Sequence, residues 1–68
     1  MEKLIGEMIR DYRKANGMSQ TEIARLLGME RKTIGRIEND ITAVNSDIIY
    51  KLCDIFDCSP NELFGFKV

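Results

Sequence analysis

The chain contains no histidine, and this one absence removes much chemistry. Without imidazole there is no histidine general base and no histidine ligand to complete a zinc site. There is also no glycine-rich phosphate loop, and no Ser or Cys stands beside a recognisable base. The 68 residues are therefore read as not enzymatic, with no cofactor and no metal. The only cysteines, Cys53 and Cys58, are spaced as CDIFDC, which is neither a redox Cys-x-x-Cys nor half of a four-cysteine zinc site. Both fall at apolar-periodic positions and are expected to be buried, reduced thiols.

Long apolar runs are missing too. No stretch approaches the ~20 residues needed to cross a bilayer, and the N-terminus has no signal-peptide core. The expectation is a cytoplasmic protein with no membrane partner and no evident small-molecule ligand. Repeats, linkers and low-complexity tracts are absent, as is any alternating β-branched run long enough for a core strand. Apolar residues make up 44% of the chain, enough for one small core and too little for a roofed catalytic cleft. A single all-α domain over residues 1–68 is expected.

What the chain does have is a polarised charge. Its net charge is -1, but Arg10 to Arg36 carries seven cations against three anions, while Ile37 to Val68 carries two cations against six anions. Such asymmetry favours an anionic partner for the first half, although an unevenly charged solvated surface would look the same.

Punctuation and periodicity give five helices. The first runs from about Glu2 to Ala15 with Ile5, Ile9 and Tyr12 on one face, and Asn16-Gly17 ends it. Ser19-Gln20-Thr21-Glu22 is a capping box that opens a second helix burying Ile23, Ala24 and Leu27, and Gly28 stops it. A third helix begins near Glu30 or Arg31 and ends around Asn39. The fourth starts at Asn45 or Ser46 and buries Ile49, Leu52, Cys53 and Phe56. A second capping box, Ser59-Pro60-Asn61-Glu62, has proline at the first helical position and opens a short helix carrying Leu63 and Phe64. Met8, Met18 and Met29 are expected to fill gaps in the core.

The third helix concentrates the cations. At about 100° per residue, Ile34 and Ile37 define its buried side, and Lys32, Gly35, Arg36 and Asn39 lie opposite with Arg31 at the edge. A helix of this width fits the DNA major groove, where Arg and Lys can donate to guanine or pair with phosphate. Gly28 and Met29 leave only a tight turn between helices two and three, and Ala24 is small where those helices would meet. Free N–H groups at the start of helix two, around Ser19 and Gln20, would suit a phosphate oxygen.

In sum, Ile5, Ile9, Arg13, Gly17, Ser19-Gln20, Ile23-Ala24, Gly28, Thr33-Ile34, Arg36-Ile37-Glu38-Asn39, Leu52, Ser59 and Glu62-Leu63-Phe64 occur at spacings that resemble the lambda-repressor and Cro-like helix-turn-helix family. The resemblance, also to what is called the xenobiotic-response-element family, runs from Ile5 to Phe64. It implies a compact five-helix DNA-binding domain in which helices two and three, residues 19–39, form the helix-turn-helix. It implies that Gln20 and Asn39, with Ser19 beside them, meet the sugar-phosphate backbone of double-stranded DNA. Arg31, Lys32, Thr33 and Arg36 would then face bases or adjacent phosphates, and Arg13 would pair with Glu38.

Three features depart from the family pattern. Glu30 stands where Ser, Thr or Asp commonly caps helix three, Gly35 replaces a residue that often touches the groove, and the loop from Asp40 to Val44 has no cation. With almost nothing beyond the DNA-binding fold, the expected function is a transcriptional repressor without a sensor domain. The rival is a protein-interaction module, antitoxin-like or an adaptor, on the same scaffold. One domain this small reads few base pairs, so a homodimer on a palindromic operator is expected. Its interface is placed at Ile48 and Ile55 beside the buried stripe of helix four, and at Phe66 and Val68 in the tail 65–68, which alternates like a short strand. These residues could instead cover the core of the monomer.

Overall fold

A computed structural model of the protein describes residues 4–65. Within them lie five helices, α1 (Ile5–Ala15), α2 (Gln20–Leu27), α3 (Arg31–Glu38), α4 (Ser46–Phe56) and α5 (Pro60–Leu63), and no strand. The fold is all-α, as the periodicity predicts. Every helix contributes buried apolar side chains to one core: Ile9 from α1, Ile23, Ala24 and Leu27 from α2, Ile34 and Ile37 from α3, Leu52, Cys53 and Phe56 from α4, and Leu63 from α5. Both capping boxes form. The Ser19 hydroxyl accepts from the Glu22 N–H while Glu22 accepts from the Ser19 N–H, and Ser59 and Glu62 do the same at α5.

The helix ends share one device. After α1, α2, α3 and α4 the chain steps into the left-handed region at Gly17 (φ +66°), Gly28 (φ +69°), Asp40 (φ +59°) and Asp57 (φ +52°). In each case the following N–H closes back onto the last turn: Met18 on the Arg13 carbonyl, Met29 on Ala24, Ile41 on Arg36 and Cys58 on Cys53. These are Schellman closures, which satisfy carbonyls that the helix leaves open. The two glycines announce them in the sequence. The two aspartates do not, since a residue with a Cβ enters this region only at a cost.

Several expectations are corrected. Leu4 is extended (φ -76°, ψ 159°), so α1 starts at Ile5 rather than near Glu2, which itself lies outside the described residues. Ile5, which shares a face with the buried Ile9, is exposed at the first residue of α1, beside Ile37 and the loop that follows α3. Ile49 and Cys58 are half-buried rather than buried, Cys58 sitting in the turn just past α4. Met18 and Met29 pack on the core as expected, and Met8 is half-buried. Ile48 and Ile55 are half-buried and pack against the protein's own core; Phe66 and Val68 lie outside the described residues.

The amino end of α1 lies directly on the carboxyl end of α3. Gly6 makes this possible: a Cβ there would meet the Ile37 carbonyl and sit 2.7 Å from the Glu38 carbonyl oxygen. The Gly6 N–H, one of the open donors of the first turn, donates to Asp40 Oδ1 at 2.9 Å. The positive end of one helix dipole thereby meets the negative end of another.

Candidate nucleic-acid interface

The α2–turn–α3 unit is built from local rules. Ser19 caps α2, Gly28 takes the left-handed turn, and Met29 N–H closes on the Ala24 carbonyl at 2.8 Å, which leaves Glu30 extended as the residue before α3. Glu30 makes no side-chain cap hydrogen bond, so it offers α3 only its charge near the positive helix end. Ile34 and Ile37 face the core, and Arg31, Lys32, Arg36 and Asn39 are exposed on the opposite side. Thr33 and Gly35 are half-buried, and no atom outside the helix lies within 4 Å of where a Gly35 Cβ would be. The cationic face expected of helix three is therefore present, with open space over Gly35. Asn39 folds its amide back, Nδ2 donating to the Gly35 carbonyl at 2.8 Å.

Behind this face lies a buried ion pair. Arg13 Nε and Nη2 donate to Glu38 Oε2 and Oε1 at 2.6 and 3.0 Å, and Nη1 donates to the Met18 carbonyl at 2.9 Å. The two residues are 8% and 2% exposed, so the pair is buried. Its hydrogen bond to Glu38 raises the Arg13 pKa above its usual range, against the opposing effect of desolvation.

Gln20 links this pair to the surface. Its Nε2 donates to Glu38 Oε1 at 3.0 Å, and its Oε1 accepts from Arg31 Nη1 at 3.1 Å. A chain of hydrogen bonds thus runs from Arg13 in α1 through Glu38 in α3 and Gln20 in α2 to Arg31 at the start of α3. Gln20, read from the sequence as a residue facing the phosphate backbone, spends one amide hydrogen and its oxygen inside the protein. One amide hydrogen is left to donate outward. The Ser19 hydroxyl oxygen accepts the Glu22 N–H, which leaves its O–H, beside the amino end of α2, to donate outward.

The sequence reading found Arg13 and Glu38 through a family pattern but missed Gly6 and Asp40. A glycine one residue into a helix was the available signal, since glycine in a helical pattern often marks close backbone approach.

The sequence and fold of this helix-turn-helix match known proteins. A family described as Helix-turn-helix matches residues 9–63. The chain belongs to this helix-turn-helix family, of the lambda-repressor and Cro-like kind. The helix-turn-helix domain is 32% identical over 62 residues to the antitoxin PezA of Streptococcus pneumoniae, covering 91% of this chain. It is 33% identical to an uncharacterized HTH-type transcriptional regulator of Archaeoglobus fulgidus, covering 85% of this chain and 83% of that protein. The P22 c2 repressor, solved in complex with a synthetic operator, superposes with a TM-score of 0.82 at 28% identity, over 96% of this chain and 98% of that one. The chain spans 39% of the length of PezA and 22% of other archaeal relatives.

Proposed function

We propose that this helix-turn-helix domain binds double-stranded DNA sequence-specifically as a transcriptional repressor, with α3 in the major groove. The observation that carries the reading is the division of α3: Arg31, Lys32 and Arg36 exposed on one side, Ile34 and Ile37 buried on the other. Lys32 and Arg36 donate to base edges, and Arg31, steered by Gln20, reaches a base or the adjoining phosphate. Thr33, half-buried, contacts DNA only at the rim of the groove. The amino end of α2 at Ser19, the remaining amide hydrogen of Gln20, and Asn39 hold the sugar-phosphate backbone. The likeness to an operator-bound repressor over nearly the whole chain supports this reading. The work is binding rather than catalysis, in the compartment that holds the DNA; no described helix is long and apolar enough to cross a membrane.

Homodimerisation on a palindromic operator completes the proposal. The half-buried Ile48 and Ile55 flank the core stripe of α4, in the half of the sequence that carries the excess of anions, and a two-fold contact there would use an element other than the cationic helix. Phe66 and Val68 would extend that contact. A second reading, a protein-interaction module, draws support from the likeness to an antitoxin.

Selection of binding sites from a random duplex pool tests these readings together. A recovered palindrome with half-sites about one helical turn apart supports the dimeric repressor. A single half-site removes the dimer. Recovery of no sequence, with binding that does not fall as salt rises, leaves the interaction module.

A further inference from the structure

We propose that the Asp40 carboxylate is a positioning residue that sets the angle at which α3 is presented to DNA. This inference rests on the DNA-binding reading of α3. Four observations lead to it. First, Asp40 holds a left-handed backbone (φ +59°) at a helix terminus where glycine would sit without a Cβ penalty. Glycine at Gly17 and Gly28 does this job in the same chain. Second, the side chain that aspartate adds is engaged: Oδ1 accepts the Gly6 N–H at 2.9 Å, across 34 residues of sequence.

Third, Asp40 is the residue through which α3 ends. Its N–H closes on the Ile37 carbonyl and the next N–H, of Ile41, closes on the Arg36 carbonyl at 2.9 Å. Whatever holds Asp40 therefore holds the turn bearing Arg36 and Asn39. Fourth, α3 is gripped by α1 at a second point. Glu38 takes Arg13 at 2.6 Å near the carboxyl end of α1, while Asp40 takes Gly6 near its amino end. Gly6 and Arg13 are about 10 Å apart along the α1 axis at the helical rise per residue. Core packing of Ile34 and Ile37 and the Gln20 bonds hold α3 on α2, and these two attachments, two turns apart on α1, fix how its carboxyl end sits on α1. Close contact at Gly6, where a Cβ would fall 2.7 Å from the Glu38 carbonyl oxygen, removes the remaining slack.

The Asp40 carboxylate is thus turned toward α1. Its purpose is geometric: a base-reading side chain works only when its helix enters the groove at the right pitch.

The test compares Asp40→Gly, which relaxes the backbone and deletes the acceptor, with Asp40→Asn, which keeps an acceptor on a residue that tolerates left-handed backbone. Two measurements are made on each: residual dipolar couplings of α1 and α3, and binding to the selected and a scrambled duplex. Asp40→Gly is expected to stay folded, to change the α1–α3 orientation, and to bind the selected duplex about tenfold more weakly, the scale of one misplaced base contact. Binding to the scrambled duplex should change far less. Asp40→Asn is expected to restore both orientation and affinity. Couplings in Asp40→Gly that match the parent overturn the proposal whatever the DNA result, as does parental affinity and discrimination in that variant. A changed orientation with a parent that prefers no duplex sustains the latch and defeats the DNA reading instead.

Discussion

Removing the Arg13 side chain tests how the helix-turn-helix is braced. In Arg13→Ala the Glu38 carboxylate, 2% exposed, loses both guanidinium hydrogen bonds and retains only Gln20 Nε2. The Met18 carbonyl loses a donor as well. Stranding one partner of a buried ion pair costs about 3–5 kcal/mol, against about 0–1 kcal/mol for a surface pair. A domain of this size has a total stability of only about 3–10 kcal/mol, so the loss is about a third of it or more. Glu38→Ala strands the guanidinium instead, which keeps only Met18, and leaves Gln20 Nε2 without its acceptor, so its loss should be of similar size. The double variant removes both charges and should lose about 1–3 kcal/mol less than the sum of the single losses. Urea unfolding followed by far-UV circular dichroism at one pH and salt gives all three values. Strict additivity, or an Arg13→Ala loss below about 1 kcal/mol, would refute the claim that this pair is buried and coupled.

Other outcomes follow from single contacts. Lys32→Ala and Arg36→Ala should each weaken specific DNA binding by about 1–3 kcal/mol with unfolding midpoints unchanged, and parental affinity in both would take α3 out of the groove. Gly6→Ala should destabilise by about 2 kcal/mol or more, since its Cβ meets backbone oxygens of α3 that cannot move independently; a stabilised variant in thermal denaturation would contradict that close approach. Asp57→Gly should stabilise by about 1 kcal/mol, because φ +52° favours glycine and the change also removes an anion from the carboxyl end of α4. For Cys58, desolvation and the adjacent Cys53 push the thiol up to about 11 from an ordinary 9.0. The folded state prefers the neutral thiol, so the associated stability is complete below pH 9 and declines as pH rises toward 11. Cys58→Ala should flatten that decline in chemical unfolding curves recorded across the interval.

Much of the domain is legible in the sequence because the signals are local. A capping box such as Ser19–Glu22 needs residues three apart, a Schellman turn announces itself when glycine takes the left-handed step, and Ile34 and Ile37 mark a buried face through helical spacing alone. Together these set the five helices, the ends that a capping box or a glycine marks, and the cationic outer face of α3. The Arg13–Glu38 pair was reached only through resemblance to a family, since nothing local ties residues 25 apart. What only the tertiary structure decided lies between elements. It leaves Ile5 exposed where periodicity suggests burial, because periodicity tells which residues share a face and not whether another helix reaches that end. It turns the Gln20 amide inward to Glu38 and Arg31. It puts Asp40 into a backbone conformation that its residue type does not signal, and brings Gly6 against it from 34 residues away. Each of these depends on where two helices meet, and that meeting is set by the packing of the whole core rather than by any segment of the chain.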